Sequence, residues 1–465
     1  MNKLGVVITD GVGFRNFIMS DFIVEAIQQF DSVTIYSGLP IDAYHSISHP
    51  KVTIKELDVF IEGKPTWVFR KWKELAHLQK YKSFYGMKDN LDSGYPKTNS
   101  IRSLLIKSIY FFTRFIHSDS SIALAEKLQF ISFSKNKITQ SYLKLLKEDK
   151  PSHVFFTHQR PPYLAPFLYA TIKLQIPVST FIFSWDNLAS KGRMLGTFDY
   201  FLVWSDLMKK ELLHFYPKVK AESVKVVGTP QFEPYVMEKY KTEQEDFYLK
   251  FDLNTSLKTI CFSCADAGIG KNDPLIIKTI ATALRDKKIT SSCQFLVRTS
   301  PAEGAERFAN IKEEFPEIIW NNPKWILTRE NHSESWSQRI PSEEDIKDLR
   351  AILECVDLNI NMCSTMSLDF MLFDKPVINT VFGNKENGLY DDQRFLDYDH
   401  FKKVVDSGSV TIAKNEEELI AQINQSLLYP KERAAQRKGM IDLQIGKKLE
   451  DTCKQIANTL YRFNN

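Results

Sequence analysis

The stretch CVDLNINMCSTMSLDFMLFDKPVINTV, residues 355–381, decides how the rest of the chain is read. Residues 358–361 predict a short strand, Ser364-Thr365 a sharp turn, and 366–373 an apolar helix; Asp374-Lys375-Pro376 then opens a second buried strand. The hydroxyl of Ser364 or Thr365 suits the helix cap, and the first amides of that helix lack intrahelical partners. A helix start with the positive end of its dipole exposed suits a phosphate or diphosphate. Asp369 falls four residues after Thr365, one turn down on the same face, where a carboxylate can accept hydrogen bonds from ribose hydroxyls. An ordinary strand–helix–strand unit with a capped helix accounts for the same residues.

Composition sets the class around this stretch. At 465 residues the chain exceeds what one core holds, so two domains are expected. With 43% hydrophobic and 25% charged residues it is neither disordered nor fibrous. A net charge of +4 is too mild to argue for nucleic acid. MNKLGVVITDG runs straight into a strand without a charged-then-apolar leader, and no apolar run reaches about 18 residues. The expectation is a cytoplasmic protein without membrane spans. Six cysteines (261, 264, 293, 355, 363 and 453) form no metal pattern. Cys261 and Cys264 have CxxC spacing but fall in a strand, which turns them to opposite faces and suits buried small side chains better than zinc or redox work.

Short apolar strands alternate with helices of ten or more residues, twice over. Strands are predicted at 4–9, 32–37, 153–157, 178–183, 200–204 and 224–227, with helices at 17–30, 138–147, 164–174 and 207–215. The second series has strands at 259–263, 294–298, 325–328, 358–361 and 409–412, with helices at 275–287, 305–315, 343–355 and 416–428. This pattern predicts an α/β protein of two doubly wound, Rossmann-like parallel-sheet domains. The expected bounds are 1–235 with an insert at about 60–130, then 236–445, and a C-terminal helix in 446–465 that packs back on the first domain.

Polar and glycine residues collect where strands end. In the first half these are Asp10, Gly13 and Arg15, then His158 and Arg160, then Asp186 and Asn187. In the second half they are Gly268 and Lys271, Arg298, and the Ser364-Thr365 turn. Ligands of open parallel sheets bind beyond the carboxyl ends of the strands. Two sheets with those edges facing would gather all six loops around one cleft. Each loop alone is weak: Asp186 also suits an Asx-turn or helix cap, and His158 a hydrogen-bonded core histidine.

The segments FIFSWDNLASKGRMLGTFDYFLVWSDLMKKELLHFYP and VKVVGTPQFEPY resemble bacterial GT-B glycosyltransferases of surface-polysaccharide assembly. At longer range they are similar to the glycerol-phosphate transferases of teichoic acid synthesis. LVRTSP and WSQRIPSEEDIKDLRAILECVDLNINMCSTMSLD resemble the donor domain of the same family, so the likeness covers roughly residues 150–430 and the first strand and turn. It implies a nucleotide-sugar donor on the second domain, an acceptor glycan or lipid-linked acceptor on the first, and base recognition by backbone near Ile340. Asp369 stands where many of these enzymes carry Glu. The chemistry calls for cations or helix amides at the leaving diphosphate, from Arg298, Ser364, Thr365 and, more weakly, Gly268 and Lys271. An inverting transfer also needs a base, for which Asp186, His158 and Asp10 are the candidates, with Gly13, Arg15, Arg160 and Asn187 on the acceptor side. No DxD pair follows a strand and no HExxH occurs, so neither a metal nor another cofactor is expected.

The insert matches nothing in that family. From Lys64 to Arg114 it holds eleven cations against three carboxylates, a net +8, interleaved with Trp67, Phe69, Trp72, Tyr110, Phe111 and Phe115 among other aromatics. Such a segment suits peripheral contact of 60–117 with an anionic membrane, on the inner face of the cytoplasmic membrane, or a helical pair packed on the domain with solvated charges. No nucleic-acid motif accompanies the charge. Three other functions fit the sequence: a CDP-linked polyol-phosphate transferase, a non-hydrolysing sugar-nucleotide epimerase, whose set of acidic and histidine residues is not found, and a non-catalytic nucleotide or glycan binder.

Overall fold

The computed structural model describes residues 2–302, 304–330, 332 and 335–463. Two parallel sheets organise them. The strands of the first are β1 Lys3–Ile8, β2 Ser32–Ser37, β3 Val52–Glu56, β4 His153–Phe156, β5 Val178–Phe181, β6 Tyr200–Val203 and β7 Val224–Val226, in the order β3-β2-β1-β4-β5-β6-β7. All six pairings are parallel. The second sheet holds β8 Lys258–Ser263, β9 Cys293–Arg298 and β10 Ile319–Asn321; β11 Trp325–Leu327 and β12 Arg339–Pro341 belong to neither sheet. It is completed by β13 Leu358–Asn361, β14 Val377–Thr380 and β15 Thr411–Ala413, in the order β10-β9-β8-β13-β14-β15, again all parallel.

The strand order reverses between β1 and β4 in one sheet and between β8 and β13 in the other. Those are the switch points where a doubly wound sheet opens a crevice beyond its carboxyl edge. Central strands are buried on both faces, as helices on either side require: Val6, Val7, Val154 and Phe155 are fully buried in the first sheet, and Ile260, Phe262, Leu358 and Ile360 in the second.

By contact the chain divides into two units. The first comprises 1–231, 328–340 and 447–465; the second comprises 232–327 and 341–446. Within the first, the C-terminal helix Thr452–Phe463 buries Ile456 and Leu460, and Phe463 stacks on Tyr200 at 4.0 Å between ring centroids. The segment 328–340 is held in the same unit by Arg329 to Glu56 at 2.6 Å. A Cβ on Gly11 would lie 1.5 Å from the Arg339 carbonyl oxygen, so only glycine fits that approach.

Several elements differ from the sequence expectation. A helix starts at Gly11, not at 17, because Asp10 caps it through Gly13 N at 2.8 Å; it ends at Phe17 and a second helix, Phe22–Gln29, follows. Strands β3 and β10 lie at sheet edges, where short or alternating sequences carry no continuous apolar run, and neither was predicted. The 325–328 segment is a strand, Trp325–Leu327, but stands outside both large parallel sheets. The insert folds into the helices Lys64–Lys80, Tyr85–Ser93, Ile101–Thr113 and Asp119–Phe133.

Candidate functional site

In the first unit the β1–β4 switch point carries a coupled pair. Val7 is in register with Phe156, so the residues just past each strand emerge side by side. His158 Nδ1 lies 3.1 Å from Asp10 Oδ2. The carboxylate also accepts from the Thr9 hydroxyl and, through Oδ1, from Gly13 N at 2.8 Å. Burial alone would raise the Asp10 pKa, but the hydrogen bond and charge of His158, with Thr9 and Gly13, outweigh it and hold the carboxyl below its ordinary range. Burial pushes the His158 imidazole below its usual range; Asp10 and Asp186 oppose this, and Arg160 adds to it.

These directions fix the proton. An ionised carboxylate only accepts, so Nδ1 carries the hydrogen and Nε2 carries the lone pair. His158 Nε2 is buried and has no partner among the described residues. A buried polar nitrogen left without a protein partner is costly, and a bound hydroxyl would satisfy it. Phe183 fixes the ring plane, stacked at 3.9 Å between centroids and 15° between planes.

Of the other first-unit candidates, Arg160 and Asp186 lie close enough to act on the His158 imidazole. Gln159 donates to Asn187 Oδ1 at 2.9 Å and accepts from Phe183 N at 3.1 Å, which ties the loop after β4 to the loop after β5. Asp186 accepts from Asn187 Nδ2 at 2.8 Å and faces Lys191 Nζ at 3.4 Å. Its side chain makes no cap bond to the helix that follows. Arg15 and Arg160 are half-buried, and Arg15 donates to Asn16 Oδ1 at 3.1 Å. Arg339 and Ile340 are grouped by contact with this unit.

In the second unit the turn after β13 sits on a buried ladder of amides. Asn379 Nδ2 donates to Asn361 Oδ1 at 2.9 Å, Asn361 Nδ2 donates to Asn359 Oδ1 at 2.7 Å, and Asn359 Nδ2 donates to Ser263 Oγ at 2.9 Å. Asn361 Oδ1 in turn receives Ser364 N at 3.0 Å. Cys363 enters the turn with φ of 47°, a left-handed conformation uncommon for a non-glycine residue. Of the two expected caps, Ser364 accepts Met366 N at 3.2 Å, and Thr365 makes no side-chain cap bond. Asp369 is buried, and the Tyr235 phenol donates to its Oδ1.

Two donor-side candidates are already engaged by partners within the second unit. Arg298 does not stand open: it is buried, both Asp345 oxygens lie 3.0 Å from its Nη2, and Nη1 donates to Asn321. The amides near Gly268 are also engaged, since Asp266 Oδ1 accepts from Gly268 N at 3.0 Å and Ile269 N at 3.2 Å. Arg307 braces this loop by donating to the Gly270 and Ala265 carbonyls, both at 2.6 Å, and pairs with Asp273 at 3.1 Å. Lys271 is exposed. Sequence reasoning missed the Asn359-Asn361-Asn379 ladder, Phe183, Tyr235 and Asp345. The alternation Asn359-Ile360-Asn361 was its one local signal.

Among the described residues no cluster of three or more His, Cys, Asp or Glu is placed to hold a metal ion, and no helix is long and apolar enough to cross a membrane.

No family model matches the sequence, and no curated protein does. Solved structures do match. S. aureus MnaA with UDP is similar over 100% of this chain and 97% of its own, at 11% identity and a TM-score of 0.52. The UDP-GlcNAc 2-epimerase of Neisseria meningitidis bound to UDP-GlcNAc is similar over 99% and 100%, at 12% identity and a TM-score of 0.52. The fold is GT-B. WaaG, a glycosyltransferase involved in lipopolysaccharide biosynthesis, aligns over 98% of this GT-B chain and 99% of its own, at 11% identity and a TM-score of 0.48. At these identities the likeness is one of architecture alone.

Proposed function

We propose that the protein is a glycosyltransferase moving a sugar from a nucleotide-sugar donor to an acceptor hydroxyl on a surface glycan or lipid-linked glycan. The observation that carries this reading is the His158 imidazole, oriented by an ionised Asp10 through Nδ1 and buried with no partner for Nε2 among the described residues. A neutral imidazole so held is a general base. Nε2 takes the acceptor proton as the acceptor oxygen bonds to the anomeric carbon, and the bond from that carbon to the diphosphate breaks. Asp10 then faces an imidazolium whose charge it offsets. The second unit binds the donor through the Ser364-Thr365 turn, with Asp369 and Lys271 as further contacts and Arg298 supporting from behind through Asp345. The neighbours that hold UDP or UDP-GlcNAc support a nucleotide-sugar ligand.

Those neighbours also favour a second reading, epimerisation of a nucleotide sugar. Incubation with a panel of nucleotide sugars, with and without glycan acceptors, separates the two. Transfer releases UDP, GDP, CDP or CMP in step with acceptor modification. Epimerisation yields a new nucleotide sugar and accumulates no free nucleotide, and a binder does neither.

A further inference from the structure

Much of the insert's charge is spent inside the first unit. Arg70 pairs with Glu62 at 2.6 Å and Glu74 at 2.8 Å, Lys80 pairs with Asp119 at 2.6 Å, and buried Lys73 donates to the Leu195 carbonyl at 2.7 Å. Trp72 donates to Ser121, and Tyr81 and Phe84 pack on Phe215. These residues belong to a packed helical subdomain.

The helix Ile101–Thr113 is different. Its inner face buries Ser103, Ile109, Tyr110 and Thr113. At 3.6 residues per turn, the opposite face carries Ile101, Leu104, Leu105, Phe111 and Phe112 and continues to Phe115, with Ser108 its one polar member. Ile101 is 89% exposed, Phe111 65% and Phe115 73%. The outer face of a helix on a water-facing domain is normally polar, so this one is built for a partner.

The charge around it identifies that partner. From 93 to 118 the chain has no Asp or Glu, while Lys97, Arg102, Lys107 and Arg114 flank the apolar face. Arg102, Lys107 and Arg114 take part in no ion pair among the described residues. Beside the helix lies an open hollow of about 920 Å³ whose lining includes Lys82, Lys88 and Arg114 around Tyr110 and Phe115, with Asp92 its one carboxylate. Apolar side chains within a rim of cations, next to a cationic hollow, match acyl chains lying below phosphate headgroups. A second copy of the chain would set one cationic rim against another, which like-charge repulsion opposes.

We propose that the outer face of Ile101–Thr113, extended to Phe115, docks on an anionic lipid surface with Phe111 and Phe115 inserted and a lipid phosphate held at Lys82, Lys88 and Arg114. This stands apart from the transfer chemistry, because it is read by binding alone. Co-flotation of the full chain with phosphatidylcholine vesicles, with and without phosphatidylglycerol, tests it. Binding is expected to the anionic vesicles, at least about tenfold tighter than to neutral ones and weakened by salt. Phe111→Ser with Phe115→Ser should cut that binding at least about tenfold without moving the thermal midpoint, since both rings are exposed. Arg102→Ser with Lys107→Ser and Arg114→Ser should abolish the preference for anionic lipid. Absence of vesicle binding, or full binding by the double phenylalanine variant, overturns the proposal. So does self-association in sedimentation velocity that this variant removes without any vesicle binding, because the face is then a protein interface.

Discussion

His158 donates its Nδ1 hydrogen to Asp10 across 3.1 Å, joining two residues 148 positions apart at the switch point of the first sheet. The pair places an imidazole and an ionised carboxylate in one buried site: His158 favours the ionised form of Asp10, burial favours the neutral imidazole, and the Asp10 bond fixes which ring nitrogen carries the hydrogen.

Asp10→Asn isolates the charge. Asparagine caps a helix about as well as aspartate, so the helix from Gly11 should survive with little loss of stability. Turnover should fall at least about 10²-fold, because an amide cannot offset the imidazolium. Turnover within a few-fold of the parent protein would remove Asp10 from the mechanism.

The pH profile of kcat/KM should follow the same pair. The neutral imidazole is the active form, so activity is lost as pH falls through the His158 pKa, which burial sets below the ordinary imidazole range. In the Asp10→Asn protein that acid limb should move further down, since Asp10 raises the His158 pKa. A limb that stays fixed or moves up contradicts the coupling.

In the second unit, Arg298→Ala should cost about 3–5 kcal/mol of stability, because it leaves Asp345 as an unpaired buried charge. Replacing both partners, Arg298→Met with Asp345→Leu, should recover much of that loss in urea unfolding. A single variant as stable as the parent protein would show that the pair is not buried as described.

What the sequence reveals, and what it hides, divides along contact range. The apolar runs of β1, β4, β8 and β13 and the polar loops that follow them are local, and they point to two doubly wound sheets and to Asp10 and His158 as site residues. The bond between those two residues depends on the Val7–Phe156 register, which no local pattern encodes. Arg298 reads locally as a cation after a strand; its partner, Asp345, lies 47 positions on, in the first turn of another helix. The helix at Gly11 was hidden because two glycines in seven residues lower its propensity, and the Asp10 cap with the close Arg339 carbonyl overrides them.

His153 should make stability depend on pH. It is buried in β4 with Nε2 2.7 Å from Ser179 Oγ, and burial pushes its imidazole down to about 4. The unfolded chain, with a histidine pKa of about 6.5, therefore binds more protons than the folded one between these values. The stability this group contributes is present above about 6.5 and is lost as pH falls toward 4, about 2 kcal/mol of it between pH 7 and pH 5. Urea unfolding at the two pH values should show a smaller difference for His153→Gln than for the parent protein. An unchanged difference would mean that His153 does not remain neutral in the fold.

The central claim is that His158 is the base, and the measurement that reaches it most directly is nucleotide release by His158→Gln and Asp186→Asn, each with saturating donor and acceptor. Asp186 is half-buried, bonded to Asn187 and facing Lys191, so its substitution should leave turnover near that of the parent protein. His158→Gln should lose about 10²- to 10⁴-fold in turnover while its donor affinity in calorimetry stays within a few-fold. Near-normal turnover by His158→Gln, together with collapse in Asp186→Asn, would contradict the account and move the base to Asp186.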